Sequence, residues 1–214
     1  MSTKLVFFLV GARRRVGKGT FAAMLCDVIR RRGDIAIPMS FAGALRDELN
    51  YALKELEWPD AADAWTEEPG LKESVIRPLL IAWGNGRRYF NEHHWVDRVL
   101  VGANSRRELH KRSRAMVGQE GDKYLFIVVS DWRFPNEIVR LCAAARQSGD
   151  HVVGIHLSRK DAPEGTPDEQ FNDPLCRALA DTRIKNDGDP ESLRECAFAI
   201  LDTFHYQQNN PPAP

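Results

Sequence analysis

The stretch from Lys4 to Gly33 constrains the fold more than any other. Lys4–Val10 reads KLVFFLV, a short unbroken apolar run rich in β-formers, of the kind buried on both faces of a parallel sheet. It runs directly into Gly11-Ala-Arg-Arg-Arg-Val-Gly-Lys-Gly-Thr20. From Gly17 the period changes: Phe21, Met24, Leu25, Val28 and Ile29 share one face of a helix. Arg30, Arg31 and Arg32 fall in its last turn, where the helix dipole favours cations, and Gly33 supplies a stop. A glycine turn between a buried strand and a helix can wrap backbone N–H groups around phosphate oxygens, and the helix N-terminus adds positive charge. Lys18 would reach the outer phosphates as a point charge. Arg13, Arg14 and Arg15 repel one another unless a polyanion lies among them. The alternative is an ordinary strand-to-helix turn with exposed arginines. The spacing is imperfect: counted back from Gly17-Lys18, the first glycine of the strict G-x4-GK pattern lands on Ala12. Gly19 holds the place of the usual hydroxyl, with Thr20 one position late.

Further along, Ile35–Phe41 is expected to be a second, weaker strand interrupted by Pro38. Leu45, Leu49, Ala52, Leu53 and Leu56 predict a second amphipathic helix, and the acidic Trp58–Gly70 reads as a loop. Val75, Ile76, Leu79, Leu80 and Trp83 predict a third helix, bent or begun near Pro78. Trp95, Val96, Val99, Leu100 and Ala103 predict a fourth, fading into the charged stretch Arg106–Arg114. Leu125–Ser130 (LFIVVS) is the second strong buried strand. Pro135 opens a helix at its favoured first position, with Ile138, Leu141, Cys142 and Ala145 inward and Gly149 at its end. His151–Leu157 is a strand, and Ile184 lies in a short edge strand. Arg159–Asp181, with Pro163, Gly165 and Pro167, reads as a mobile excursion. Asp189-Pro190 starts a last helix, and Gln207–Pro214 has no means of burying itself. Strands alternating with helices imply a parallel sheet covered on both faces, which binds ligands beyond the carboxyl ends of its strands.

The second strong strand ends in Ser130-Asp131-Trp132-Arg133-Phe134-Pro135-Asn136-Glu137. A carboxylate here faces the phosphates of a neighbouring loop. It can hold Mg2+, directly or through water, or orient an acceptor. Arg133 can fork onto a phosphate. Asn136 and Glu137 suit a first helical turn in any case.

Composition narrows the remaining classes. With 30 basic and 30 acidic residues the 214-residue chain carries no net charge, so a whole-protein basic field for nucleic acid is absent. No run approaches the ~20 apolar residues that cross a bilayer. The apolar N-terminus has no small-residue cleavage site and reads as a core strand. Cys26, Cys142, Cys176 and Cys196 form no CxxC pair and read as buried thiols in a reducing cytosol. His93-His94 lacks partners at metal-ligand spacing.

With these segments in hand, the chain resembles the phage deoxynucleoside monophosphate kinases, a branch of the P-loop nucleoside monophosphate kinases. The GKGT loop is similar to the monophosphate-kinase variant in which glycine follows the lysine. Phe41-Ala-Gly-Ala-Leu-Arg46 is similar to the segment after strand two, where a basic residue meets the acceptor. Arg77–Gly84 (RPLLIAWG), with Arg87, Arg88 and Trp95, is similar to the helical acceptor-binding insertion. SDWRFPNE is similar to the family's most distinctive motif, and Ile184–Gly188 to its late loop near the ATP base. The region after Arg159 departs from the family, showing Asn172-Asp-Pro-Leu in the lid.

The resemblance implies a three-layer α/β/α P-loop kinase fold with a mostly parallel sheet. It implies one domain over residues 1–206, with an acceptor-binding insertion at about 58–115, a lid at about 159–181 and a disordered tail at 207–214. It implies ATP and Mg2+ as cofactors, a nucleotide acceptor, and a cytoplasmic location (the host's, for a phage-encoded chain). Neither nucleic acid nor membrane is an expected partner, and a homodimer is left open. Catalysis is expected from Lys18, Asp131, Arg133 and Arg159. ATP is expected on Arg14, Arg15, Gly17, Lys18, Gly19, Thr20 and Asn186, and Mg2+ on Thr20 and Asp131. The acceptor is expected on Arg46, Arg77, Trp83, Arg87, Arg88, Trp95, Arg133 and Glu137. Of these, Trp83 and Trp95 either stack a base or belong to the core, and Arg77, Arg87 and Arg88 either bind phosphate or lie solvated. Two other readings remain: another small-molecule kinase, such as a dephospho-coenzyme A or general nucleoside monophosphate kinase, and a P-loop module that binds nucleotide without turning it over.

Overall fold

The N-terminal apolar run is the middle strand of the sheet. The computed structural model describes residues 3–55, 75–116 and 124–210. Its strands are β1 (Lys4–Gly11), β2 (Ala36–Met39), β3 (Tyr124–Trp132), β4 (His151–Ser158) and β5 (Thr182–Lys185). They form one sheet in the order β2-β3-β1-β4-β5, and every pairing is parallel. The helices among the described residues are α1 (Lys18–Arg31), α2 (Phe41–Glu55), α3 (Arg77–Phe90), α4 (His94–Met116), α5 (Pro135–Ser148), α6 (Pro167–Leu179) and α7 (Pro190–Asn209).

The period of two along the strands builds two cores. Val6, Phe8, Val10, Phe126 and Val128 pack against Phe21, Leu25, Val28 and Ile29 of α1 and Leu201 and Phe204 of α7. Leu5, Phe7, Leu9, Leu125, Ile127 and Val129 pack against Trp95 and Val99 of α4, Ile138 and Leu141 of α5, and Cys176 of α6. Truncating one of these buried rings, Phe8 for example, costs about 3–5 kcal/mol. A smaller cluster, Leu49 and Leu53 with Leu79, Leu80 and Trp83, joins α2 to α3. The result is the three-layer α/β/α architecture with a parallel sheet that was expected from the sequence.

Local signals explain most of the ends. Gly149 caps α5 in a left-handed conformation, and the Asp189 carboxylate accepts the Ser192 N–H at the start of α7. Pro38 is tolerated because β2 is an edge strand. All four cysteines are unpaired. No helix among the described residues is long and apolar enough to cross a membrane.

Several expectations need correction. The second strand stops at Met39, because Phe41 opens α2 rather than closing β2. The third helix begins at Arg77 with Pro78 in its first turn, as one reading had it. The fourth does not fade at Arg106 but continues to Met116. Its charged turns are good helix formers, and Arg107 is pinned by Asp150 at 2.9 and 3.0 Å. Arg159–Asp181 is not a structureless excursion: it contains α6, whose Cys176 lies in the core. Gln207–Asn209 continue α7. The expected loop Trp58–Gly70 and the last residues, 211–214, lie outside the described residues.

Candidate active site

The tips of β1 and β3 lie side by side. Gly11 pairs with Trp132, and the Ala12 N–H donates to the Trp132 carbonyl at 3.4 Å. Beyond these tips opens a cleft of about 460 Å³. One wall is the glycine loop, with Arg14, Arg15 and Gly17–Thr20. The other is made by Ser40, Ala42, Arg46, Ser130, Asp131 and Arg133.

The loop turns sharply. Arg15 and Gly17 both take left-handed backbone, at φ +62° and +95°. Asn186, just past β5, donates its side-chain amide to the Val16 carbonyl at 2.8 Å and sits where a Cβ on Gly17 would go. Asn186 thus holds the loop's shape. Lys18 folds back over the loop, its Nζ donating to the carbonyls of Ala12 at 2.7 Å and Arg13 at 2.6 Å. Burial, and next the Arg133 guanidinium, lower its pKa to about 8, against the pull of Glu169, Asp131 and Asp173. A lysine so discouraged from carrying charge, beside Arg14 and Arg15, suits a polyanion.

Asp131 crosses from β3 to the start of α2. Its two oxygens accept the N–H groups of Phe41 at 2.8 Å and Ala42 at 2.7 Å. Burial raises its pKa, opposed by these two amides, Arg133 and Lys18. Thr20 is exposed on the opposite wall. Mg2+ in phosphoryl-transfer sites is held by one or two protein oxygens, the phosphates and water. Thr20 and Asp131 both line the cleft and carry oxygens of that kind, and each Asp131 oxygen keeps a lone pair beyond the amide it accepts.

Next to Asp131 two arginines are each backed by a buried acid. Arg133 Nη1 donates to Glu169 at 3.2 Å. Arg88 reaches Glu137 at 3.4 Å and lies 4.2 Å over the Phe134 ring. Glu137 also accepts the N–H groups of Arg133 and Phe134 at 2.9 and 3.0 Å. Burial pushes its pKa up to about 7, opposed by the Arg133 amide, Arg88 and the Phe134 amide. Glu137 thus caps α5, as the helix-start reading had it, and its carboxylate pairs with Arg88; at 3% exposure it is not among the walls of the cleft that the acceptor-binding reading required.

Other expected residues stand elsewhere. Trp95 is 2% exposed in the core, its Nε1 donating to the Gly84 carbonyl at 3.3 Å, so it has no face for a ligand. Trp83 and Arg87 are gathered by Glu48: Trp83 Nε1 donates to it at 3.1 Å, Arg87 pairs with it, and His94 meets it at 2.8 Å. The Arg87 guanidinium lies 5.3 Å over the Trp83 ring. These contacts join α2, α3 and α4 and serve structure. Arg77 is exposed at the start of α3, and Arg159 is exposed in the turn after β4. Neither belongs to the walls of the cleft.

Residues missed by the motif search complete the surroundings. Asp173 accepts the Arg13 N–H at 3.2 Å and is hydrogen-bonded to His156 at 2.9 Å. Burial alone would raise its pKa, but His156 and the Arg13 amide hold it below the usual range. For Glu169 a signal existed: Thr166-Pro167-Asp168-Glu169 is a capping box with proline at the first helical position.

No family model matches the sequence, and no curated protein matches it. Among solved structures the chain is similar to dephospho-CoA kinase from Campylobacter jejuni, at 13% identity and a TM-score of 0.45, over 92% of this chain and 96% of that one.

Proposed function

We propose that the protein is an ATP-dependent kinase that phosphorylates nucleoside monophosphates, deoxynucleotides foremost. The observation that carries this reading is the facing of two groups across one cleft: the Lys18 loop and the Asp131/Arg133 strand tip. The deoxynucleotide preference rests on the likeness of FAGALR and SDWRFPNE to the phage kinases.

In this reading Lys18, Arg14 and Arg15 hold and neutralise the donor phosphates. Bound Mg2+ supplies further charge neutralisation, with Thr20 and Asp131 as the residues to hold it. Arg133 and Arg46, which line the cleft, hold the phosphate of the acceptor, with Arg88 adding positive charge from outside its walls. That phosphate already carries its negative charge, so no general base is required. Positioning and charge neutralisation then do most of the work.

The test is a coupled assay of ADP release over the four dNMPs, the four NMPs and dephospho-coenzyme A, with the phosphorylated product identified. The expected result is turnover on one or more dNMPs, lost in Lys18→Ala. Turnover on dephospho-coenzyme A alone would replace the acceptor. Tight ATP binding with no product on any acceptor would end the kinase reading.

A further inference from the structure

Two carboxylates one turn apart on α6 lie behind the cleft and hold the two segments that border it, the β3 tip and the phosphate loop. Residues four apart on a helix share a face. Glu169 bonds Arg133, on the acceptor side, while Asp173 accepts the Arg13 N–H in the phosphate loop.

Glu169 is 6% exposed. A carboxylate so buried costs free energy unless paired, and Arg133 is its ion-pair partner. The helix does not need the charge: in the capping box Oε2 accepts the Thr166 N–H at 3.2 Å, which the amide oxygen of Gln does equally well. Arg133 in turn spends only Nη1 on Glu169, and its side chain is 47% exposed. A guanidinium fixed at one nitrogen keeps its other N–H groups for an oxyanion. Arg88 has the same posture against buried Glu137.

Resting on the kinase reading above, we propose that Glu169 is a positioning residue of the acceptor site, aiming Arg133 at the acceptor phosphate. Asp173 fixes the donor loop from the same helix face, so α6 sets the spacing between the two nucleotides.

The experiment compares Glu169→Gln and Asp173→Asn in the full chain, by steady-state kinetics with the best acceptor from the screen and by calorimetric titration of ATP. Glu169→Gln is expected to raise the acceptor KM about five- to tenfold, the effect of one charge-assisted contact to a half-exposed arginine. Its ATP Kd should change less than the acceptor KM, because Glu169 acts on Lys18 through charge and not through a hydrogen bond. Asp173→Asn is expected to do the reverse, weakening ATP more than the acceptor. In an Arg133→Lys background Glu169→Gln should add little, because its effect passes through Arg133. A matching melting temperature excludes a folding defect in Glu169→Gln. An unchanged acceptor KM, equal loss on both substrates, or full additivity with Arg133→Lys would overturn the proposal while leaving the kinase reading intact. A wild-type enzyme inactive on every acceptor would overturn both.

Discussion

Gly11 and Trp132 face each other across the seam between β1 and β3, and the indole fills the space a side chain on Gly11 would need. A Cβ there would stand 2.5 Å from Trp132 Cε3 and 2.8 Å from Cδ2. The ring cannot yield easily: it is fully buried, and its Nε1 donates to the Phe134 carbonyl at 2.9 Å. Gly11→Ala should therefore destabilise the protein by about 1–3 kcal/mol in urea unfolding. Gly19→Ala is the contrast, since a Cβ there meets nothing within 4 Å. It should leave stability unchanged or raise it by up to ~1 kcal/mol, because it replaces glycine in a helix. It should still weaken ATP binding, because Gly19 faces the cleft. A stable Gly11→Ala would show that the two tips have room to part.

Lys18 gives a prediction about protons. In the free protein its pKa is lowered to about 8. A polyphosphate beside it favours the ammonium and raises that value. ATP binding near pH 8.5 should then take up protons, whereas near pH 6.5 this group is already charged and contributes none. Calorimetry in two buffers of different ionisation enthalpy measures the uptake, and Lys18→Met should remove it. Binding at the higher pH with no uptake would place the phosphates away from Lys18.

Much of this was legible in the sequence because the signals are local. KLVFFLV and LFIVVS are unbroken apolar runs, and both became central strands at their expected places. GKGT follows the end of the first run and SDWRFPNE stands at the end of the second, so a parallel sheet brings them to one edge. What stayed hidden depends on contacts distant in sequence. Asp131 reads as a ligand but also serves α2, which lies about ninety positions earlier. In the sequence Trp95 and Trp83 look alike, as base-stacking or core residues, until Gly84 and Glu48 claim their N–H groups. The helix α6 was obscured by Pro163, Gly165 and Pro167, which read as loop residues although Pro167 stands at a favoured first helical position after the Thr166 cap.

Asp131 should therefore matter for folding even without nucleotide. It caps α2 from another strand by accepting two orphan amides. Asp131→Ala is expected to lose about 1–2 kcal/mol of stability in nucleotide-free protein, the cost of a lost cap. Asn retains one acceptor oxygen and should recover part of it. Hydrogen exchange at Phe41 and Ala42 should quicken in the alanine variant. Unchanged stability and exchange would leave Asp131 with a purely ligand-directed role.

Glu137 ties the stability of the site to pH. Its folded pKa stands at about 7 against an ordinary 4.5, because burial disfavours its charge more than Arg88 and two amides favour it. For an acid raised in this way the stabilising contribution is complete below about pH 4.5 and is lost as pH rises through about 7. Glu137→Gln removes the titration while keeping one acceptor oxygen for the amides of Arg133 and Phe134. The variant's stability relative to wild type should thus improve between about pH 5 and pH 8, by up to about 3 kcal/mol over the full window. Urea unfolding of both proteins at several pH values gives the difference directly. The same variant frees Arg88 from its ionic partner, so a stabilised protein that binds acceptor less well would show the charge to be kept for the arginine's sake. A difference that stays flat with pH would mean that Glu137 is ionised throughout and that Arg88 outweighs its burial.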